Sequence, residues 1–246
     1  MASEVSPAGG AGRTGRRTAA AARKRERAQA IIAATRALFD ARGVRDAQID
    51  DIARAVGINR AIIYRHFTGK EELFALTLVG YLDELAEGLR GADRPDASPT
   101  QRLRLLTAEF HDFGARYPAF VDCAQTLMRH TGSELFEEIS EGAVFRLGRS
   151  IARCLGHLVE VLDAGNRSGE FHIDDPHLLA NTLYAQGLGA LQLARVGLLV
   201  KEAAPDTPTV ASVSAEQVKH YMVSASVAMA VGASAEQENL PGQEVP

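Results

Sequence analysis

Gln48 to Leu73 reads QIDDIARAVGINRAIIYRHFTGKEEL. Ile49, Ile52, Ala53 and Val56 fall at i, i+3, i+4 and i+7, which gives a short helix one apolar face. Gly57 stands where such a helix would end in a left-handed residue, a conformation glycine adopts without a Cβ penalty. Asn59 is placed to cap a second helix at once, with Ile63 and Phe67 one turn apart on its inner side. Two short helices joined by a tight glycine-containing turn form the helix-turn-helix pattern, whose second helix lies in the DNA major groove.

With Ile63 and Phe67 turned inward, Arg60, Ala61, Ile62, Tyr64, Arg65 and His66 lie on or beside the outer face. An isoleucine between arginines and a tyrosine makes a poor solvated surface but a good reader of bases. Arginine forks onto guanine, and an aliphatic side chain meets a thymine methyl. Tyr64 and His66 offer donors to phosphate oxygens, which fix register rather than sequence. Thr68 to Glu71 reads as a capping box, Thr68 at the cap and Glu71 reaching back. Lys70 then sits in a first helical turn, where the macrodipole disfavours a cation and an external phosphate would relieve the conflict. Arg60, just past Asn59, has the same placement.

These residues carry a resemblance. Ile52-Ala53, Val56-Gly57-Ile58, Ile63-Tyr64-Arg65-His66-Phe67, Lys70 and Leu73 resemble the DNA-binding signature of TetR-type transcriptional regulators, in detail from about Arg23 to Leu73. Gln48 departs from the Ser or Thr cap usual there, leaving the cap to Asp46 or the backbone. Ile62 replaces a small residue on the reading face, so the operator sequence does not carry over. The DNA-facing set is Gln48, Asn59, Arg60, Ala61, Ile62, Tyr64, Arg65, His66 and Lys70.

Charge segregation agrees. Residues 1–70 hold 14 Lys/Arg against 6 Asp/Glu, a balance of +8, whereas residues 71–246 hold 13 against 25, a balance of −12. The net −4 therefore hides a basic front end and an acidic remainder, as expected if one end meets phosphate. No apolar run approaches the ~18–20 residues that cross a bilayer, and no signal-like segment opens the chain, so a cytoplasmic protein without membrane contact is expected.

The expected fold is all-α: an N-terminal three-helix helix-turn-helix head and a larger helical body for ligand binding and dimerisation. Residues 1–22, with Arg13, Arg16 and Arg17 among small residues, read as a disordered basic arm. The DNA-binding domain takes 23–69, its first helix running from about Arg23 to Arg42 and ending at Gly43. The body takes 70–232, and 233–246 read as a disordered tail. A helix from about Lys70 to Arg90 links head and body; GADRPDASPT (91–100) is a loop. Leu103, Leu106, Phe110, Phe113 and Tyr117 mark the next helix, and Pro118 opens another. A long helical region from Ser133 to Ala164 is expected to bend near Gly142 and Gly148. Asp175-Pro176 starts a helix to about Val200, and a last one runs from about Ala215 to Val231. The small residues of these two late helices suggest close helix approach. By the resemblance they form a homodimer interface.

The resemblance also implies a pocket for a small effector among the middle helices. Candidate lining residues are Phe110, Phe113, Tyr117, Cys123, Met128, Phe145, Cys154 and Tyr184, with His111, His157 and Asn181 as polar anchors. Such walls imply a lipophilic effector. Release of the protein from a near-palindromic operator, read by two heads ~34–36 Å apart, gives the expected function of a repressor. The alternative is a redox-sensing regulator using Cys123 and Cys154. A Cys154–His157 pair, one turn apart, is a conceivable catalytic element, but no nucleophile elbow, phosphate-cradling loop or metal-ligand cluster accompanies it. Neither catalysis, a cofactor nor a metal is expected.

Overall fold

The computed structural model describes residues 11–232, residues 11–17 by their backbone alone. Helix α1 spans Ala11–Arg42. The expected disordered arm is thus corrected over residues 11–22, which are helical; the rest of that arm lies outside the described residues. Ala19 to Ala22 are strong helix formers, and they extend a helix already nucleated further on. Residues 18–27 remain exposed, and burial begins with Ile31, Thr35 and Phe39, one face at four-residue steps. Gly43, at φ 80, ends α1 as expected.

Helix α2 (Ile49–Val56) and helix α3 (Arg60–His66) follow, joined through Gly57 at φ 70. Gln48 precedes α2 without a side-chain cap; its carbonyl accepts the Asp51 and Ile52 N–H groups. Ile31, Phe39, Ile52, Ile63 and Phe67 are 0–3% exposed, and Phe74 closes this core edge-on to Phe39 at 5.0 Å between ring centroids. Burying several such side chains, at roughly 1.5–3 kcal/mol each, outweighs the weak intrinsic stability of seven- and eight-residue helices.

Helix α4 (Lys70–Ala92) runs out of this head, buried continuously from Glu72 to Leu78 and then on Tyr81, Leu82, Leu85, Ala86 and Leu89. Against it pack α5 (Pro99–Arg116), α6 (Pro118–Leu127) and α8 (Glu141–Ser168), with the short α7 (Gly132–Glu138) between the last two in sequence. The break expected near Gly142 and Gly148 falls instead at Ile139, after which Ser140 caps α8 and both glycines stay helical. A single glycine costs only about 1 kcal/mol in a helix, while a cap starts a new one.

Asp175 accepts the Leu178 N–H at 2.9 Å and begins α9 (Pro176–Val196). The helix expected to about Val200 stops at Gly197, φ 70. An antiparallel hairpin follows, β1 (Leu198–Ala204) on β2 (Thr207–Ser212), in the register Leu198↔Ser212 and Val200↔Val210. The fold is otherwise all-α, as expected, and this hairpin is the small strand content among the described residues. β-branched Val200, Thr207, Thr209 and Val210 flank a Pro205-Asp206 turn, and cross-strand pairing of such residues outweighs a short helical continuation. Helix α10 (Ala215–Gly232) packs on α5 and α9. The tail expected to be disordered lies outside the described residues.

Candidate nucleic-acid interface and interior cavities

Asn59 Oδ1 accepts the Ile62 N–H at 3.1 Å, so this side chain is engaged as the α3 cap. From that start α3 presents Arg60, Ala61, Tyr64 and Arg65 exposed, with Ile62 and His66 half-buried and Gln48 exposed nearby. Arg60 Nη2 donates to the Tyr64 hydroxyl at 3.2 Å and its guanidinium lies 5.4 Å from that ring's centroid. The two side chains therefore form one assembly along the outer face. Burial lowers the His66 pKa, and the charges of Lys24 and Arg27 lower it further, so the ring is neutral at pH 7. Lys70 is exposed at the first position of α4, its Nζ 5.0 Å from the Phe74 centroid.

The capping box expected between Thr68 and Glu71 is displaced by one residue. Gly69 is the N-cap of α4, which makes Glu72 the third helical residue, and its carboxylate accepts the Thr68 N–H. Glu72 also accepts the Ser140 hydroxyl, and the Thr68 hydroxyl donates to the Glu138 carbonyl at 2.9 Å. Burial alone would raise the Glu72 pKa, but the bonds from Ser140 and Thr68 outweigh it and hold the carboxyl below its ordinary value. This hook ties the turn beside α3 to the α7–α8 junction. A second tie lies higher on α4. Arg36 of α1 pairs with Glu84 and lies 4.2 Å and 5.2 Å from the ring centroids of Tyr81 and Tyr117. Tyr117 donates to Glu84 at 2.7 Å, and Tyr81 to Asp40 at 2.5 Å.

Of the effector candidates, Phe110, His111, Cys154 and Tyr184 do converge. They line a cavity of ≈ 50 Å³ with Leu89, Leu106, Leu155, Leu158, Leu183 and Met222. Phe110 stands edge-on to Tyr184 at 5.9 Å, over Gly187, where an added Cβ would lie 2.6 Å from its ring. The others do not join them. Phe113 stands edge-on to Phe120 and tilted against the half-buried Tyr117, both of these beside Tyr81, and Cys123 is fully buried. Met128 and Phe145 are 56% and 69% exposed, Met128 because α6 has ended and Phe145 because it faces outward on α8. Asn181 is exposed and donates to the His177 carbonyl.

The Cys154–His157 pairing also fails. The Cys154 thiol donates to the Leu82 carbonyl at 3.1 Å, and burial pushes its pKa up to about 12. Burial pushes the Cys123 thiol up as well. Both cysteines are free and buried, so neither offers the accessible thiolate that redox sensing or catalysis requires. The leucines and Met222 around the cavity were not singled out in the sequence, because an apolar residue lining a cavity has the same helical spacing as one filling the core. No described helix is long and apolar enough to cross a membrane.

Residues 31–77 match the family described as bacterial regulatory proteins, tetR family. The chain is similar to the HTH-type transcriptional activator FasR of Mycolicibacterium smegmatis, 38% identical over 110 residues, covering 45% of this chain and 48% of that one. It is similar to the HTH-type transcriptional repressor KstR2 of Mycobacterium tuberculosis, 39% identical over 75 residues, 30% of this chain and 38% of that one. The chain thus spans about half or less of these curated relatives. Among solved structures, a tetR-family regulatory protein from Rhodococcus RHA1 shares the fold at TM-score 0.59 and 17% identity, covering 83% of this chain and 97% of that one. RolR in complex with resorcinol does so at TM-score 0.63 and 15% identity, covering 86% and 90%.

Proposed function

We propose that this TetR-type regulator binds a near-palindromic operator as a homodimer, represses from it, and is released by a small lipophilic effector. One observation carries the DNA reading: α3 holds its apolar side in the head core and turns Arg60, Tyr64 and Arg65 outward, beside Lys70 at the start of α4. In this reading Arg65 and Ile62 meet base edges in the major groove, while Tyr64, His66 and Lys70 meet phosphate. Domain limits of 23–69 for the head and 70–232 for the body follow the same reading.

Dimerisation is supported by the outer faces of α9 and α10. Leu193 and Tyr221 are 41% and 73% exposed, around Gly189, which has nothing within 4 Å of an added Cβ. A second copy of this surface would bury them and set two heads on adjacent grooves. Effector binding is supported by the cavity around Phe110 and Tyr184, and α4 forms part of its wall through Leu89. Swelling of so small a cavity pushes on α4 and shifts the heads toward a spacing that no longer fits the operator. Selecting genomic fragments bound by the purified protein, then measuring affinity against salt, tests the reading. Failure to prefer any duplex over competitor DNA at modest ionic strength overturns it; a promoter fusion distinguishes repression from activation.

A further inference from the structure

A second and larger cavity, ≈ 330 Å³, lies between α5, α6, α9 and α10. Pro118, Val121, Leu191 and Val218 give it apolar walls, and its size falls within the usual range for small-molecule sites. His111 and Gln192 also line it, and His111 is 4% exposed. His111 Nε2 and Gln192 Oε1 are buried and have no hydrogen-bond partner among the described residues.

Both are acceptors. His111 Nδ1 lies 2.8 Å from the Thr107 carbonyl, which can only accept, so the ring proton sits on Nδ1 and Nε2 keeps a bare lone pair. Burial lowers the His111 pKa, so the ring stays neutral at pH 7. The charged groups at the cavity are already matched with one another. Lys219 pairs with Asp112 at 2.9 Å and with Glu216 at 3.2 Å, and Arg195 pairs with Asp122 at 2.8 Å. Nothing there calls for an ionic ligand, whereas two buried acceptors call for donors.

We propose that this cavity is a binding site for a small neutral molecule with two hydrogen-bond donors on an apolar frame, an aromatic diol in its simplest form, donating to His111 Nε2 and Gln192 Oε1. The site is separate from the cavity around Phe110 and Tyr184, with which it shares only the His111 ring.

The test is titration of the full-length protein with the three benzenediols and their dimethyl ethers, followed by nitrogen NMR of the His111 ring and the Gln192 amide. At least one diol is expected to bind and to move both signals, while its ether, with the same frame and no donor, binds at least tenfold more weakly. Gln192→Leu and His111→Phe are each expected to weaken the diol about three- to tenfold, the range for loss of one hydrogen bond. The wild-type signals and Gln192→Leu suffice should His111→Phe not fold. Equal binding of diol and ether, no binding at millimolar concentration, or movement of His111 without Gln192 overturns the proposal. The last outcome places the ligand in the Phe110 cavity. Operator affinity is not read in this experiment, so its failure leaves the DNA-binding reading standing.

Discussion

Arg60 and Lys70 each occupy the first position of a helix, where the unsatisfied N–H groups repel a cation. Each rests against an aromatic ring one turn along, Tyr64 or Phe74, which offsets part of that repulsion within the protein itself. A phosphate arriving at either end would complete the compensation. Lys70→Ala is therefore expected to weaken binding to all sequences alike and to reduce the salt slope by about 1. Titration of a selected duplex at several salt concentrations measures it, and an unchanged slope removes Lys70 from the interface. Arg65→Ala should instead flatten the preference among operator variants, at about 1–3 kcal/mol for the base it reads. The cysteines offer a contrasting residue-scale expectation. With both thiols buried and held protonated, native protein should resist iodoacetamide at neutral pH, and operator binding should survive the treatment. Mass spectrometry of rapid, stoichiometric modification would revive the redox alternative.

Among the elements, α4 has the most to coordinate. Its first turn belongs to the head, its middle is buried in the body, and its far end reaches the cavity through Leu89. The Glu72 hook fixes that first turn to the start of α8. Because the folded-state pKa of Glu72 lies below its ordinary value, its stabilisation is fully present above the unfolded pKa. It is lost as pH falls through the folded pKa, which lies below the ordinary range for a glutamate. Glu72→Gln should destabilise the protein by roughly 1–3 kcal/mol at pH 7. The gap between wild type and variant should close as the solution is acidified, which urea melts at pH 7, 5 and 3 would follow. A constant gap would mean that packing, not the charged hook, accounts for the loss.

At the scale of the whole molecule, a basic head and an acidic body would, in the proposed reading, turn the chain toward DNA as it approaches, an effect that salt screens. Two heads must act together if a short reading helix is to hold an operator. Leu193→Asp or Tyr221→Asp, at exposed positions of α9 and α10, should leave the fold intact and shift the protein to monomer. Operator affinity should fall by at least tenfold. Sedimentation with a parallel binding titration checks both, and a monomeric variant that binds as well as wild type would sink the dimer reading.

The sequence by itself determined the head: Gly57, Asn59, Ile63 and Phe67 act over a few residues, through a left-handed turn, a cap and a helical period, so their consequences are local. It also placed the starts of α6 and α9, since Pro118 and Asp175-Pro176 are local signals as well; α5 begins at Pro99, inside the stretch read as a loop. Only the tertiary structure decided that residues 11–22 join α1, that α9 yields to a hairpin at Gly197, and that Glu72 rather than Glu71 reaches back. It alone separated Phe110, His111, Cys154 and Tyr184 from Phe113, Met128, Phe145 and Asn181. Helical periodicity reports which side of a helix is apolar, but whether that side meets a neighbour, a cavity or solvent depends on the packing of helices distant in sequence.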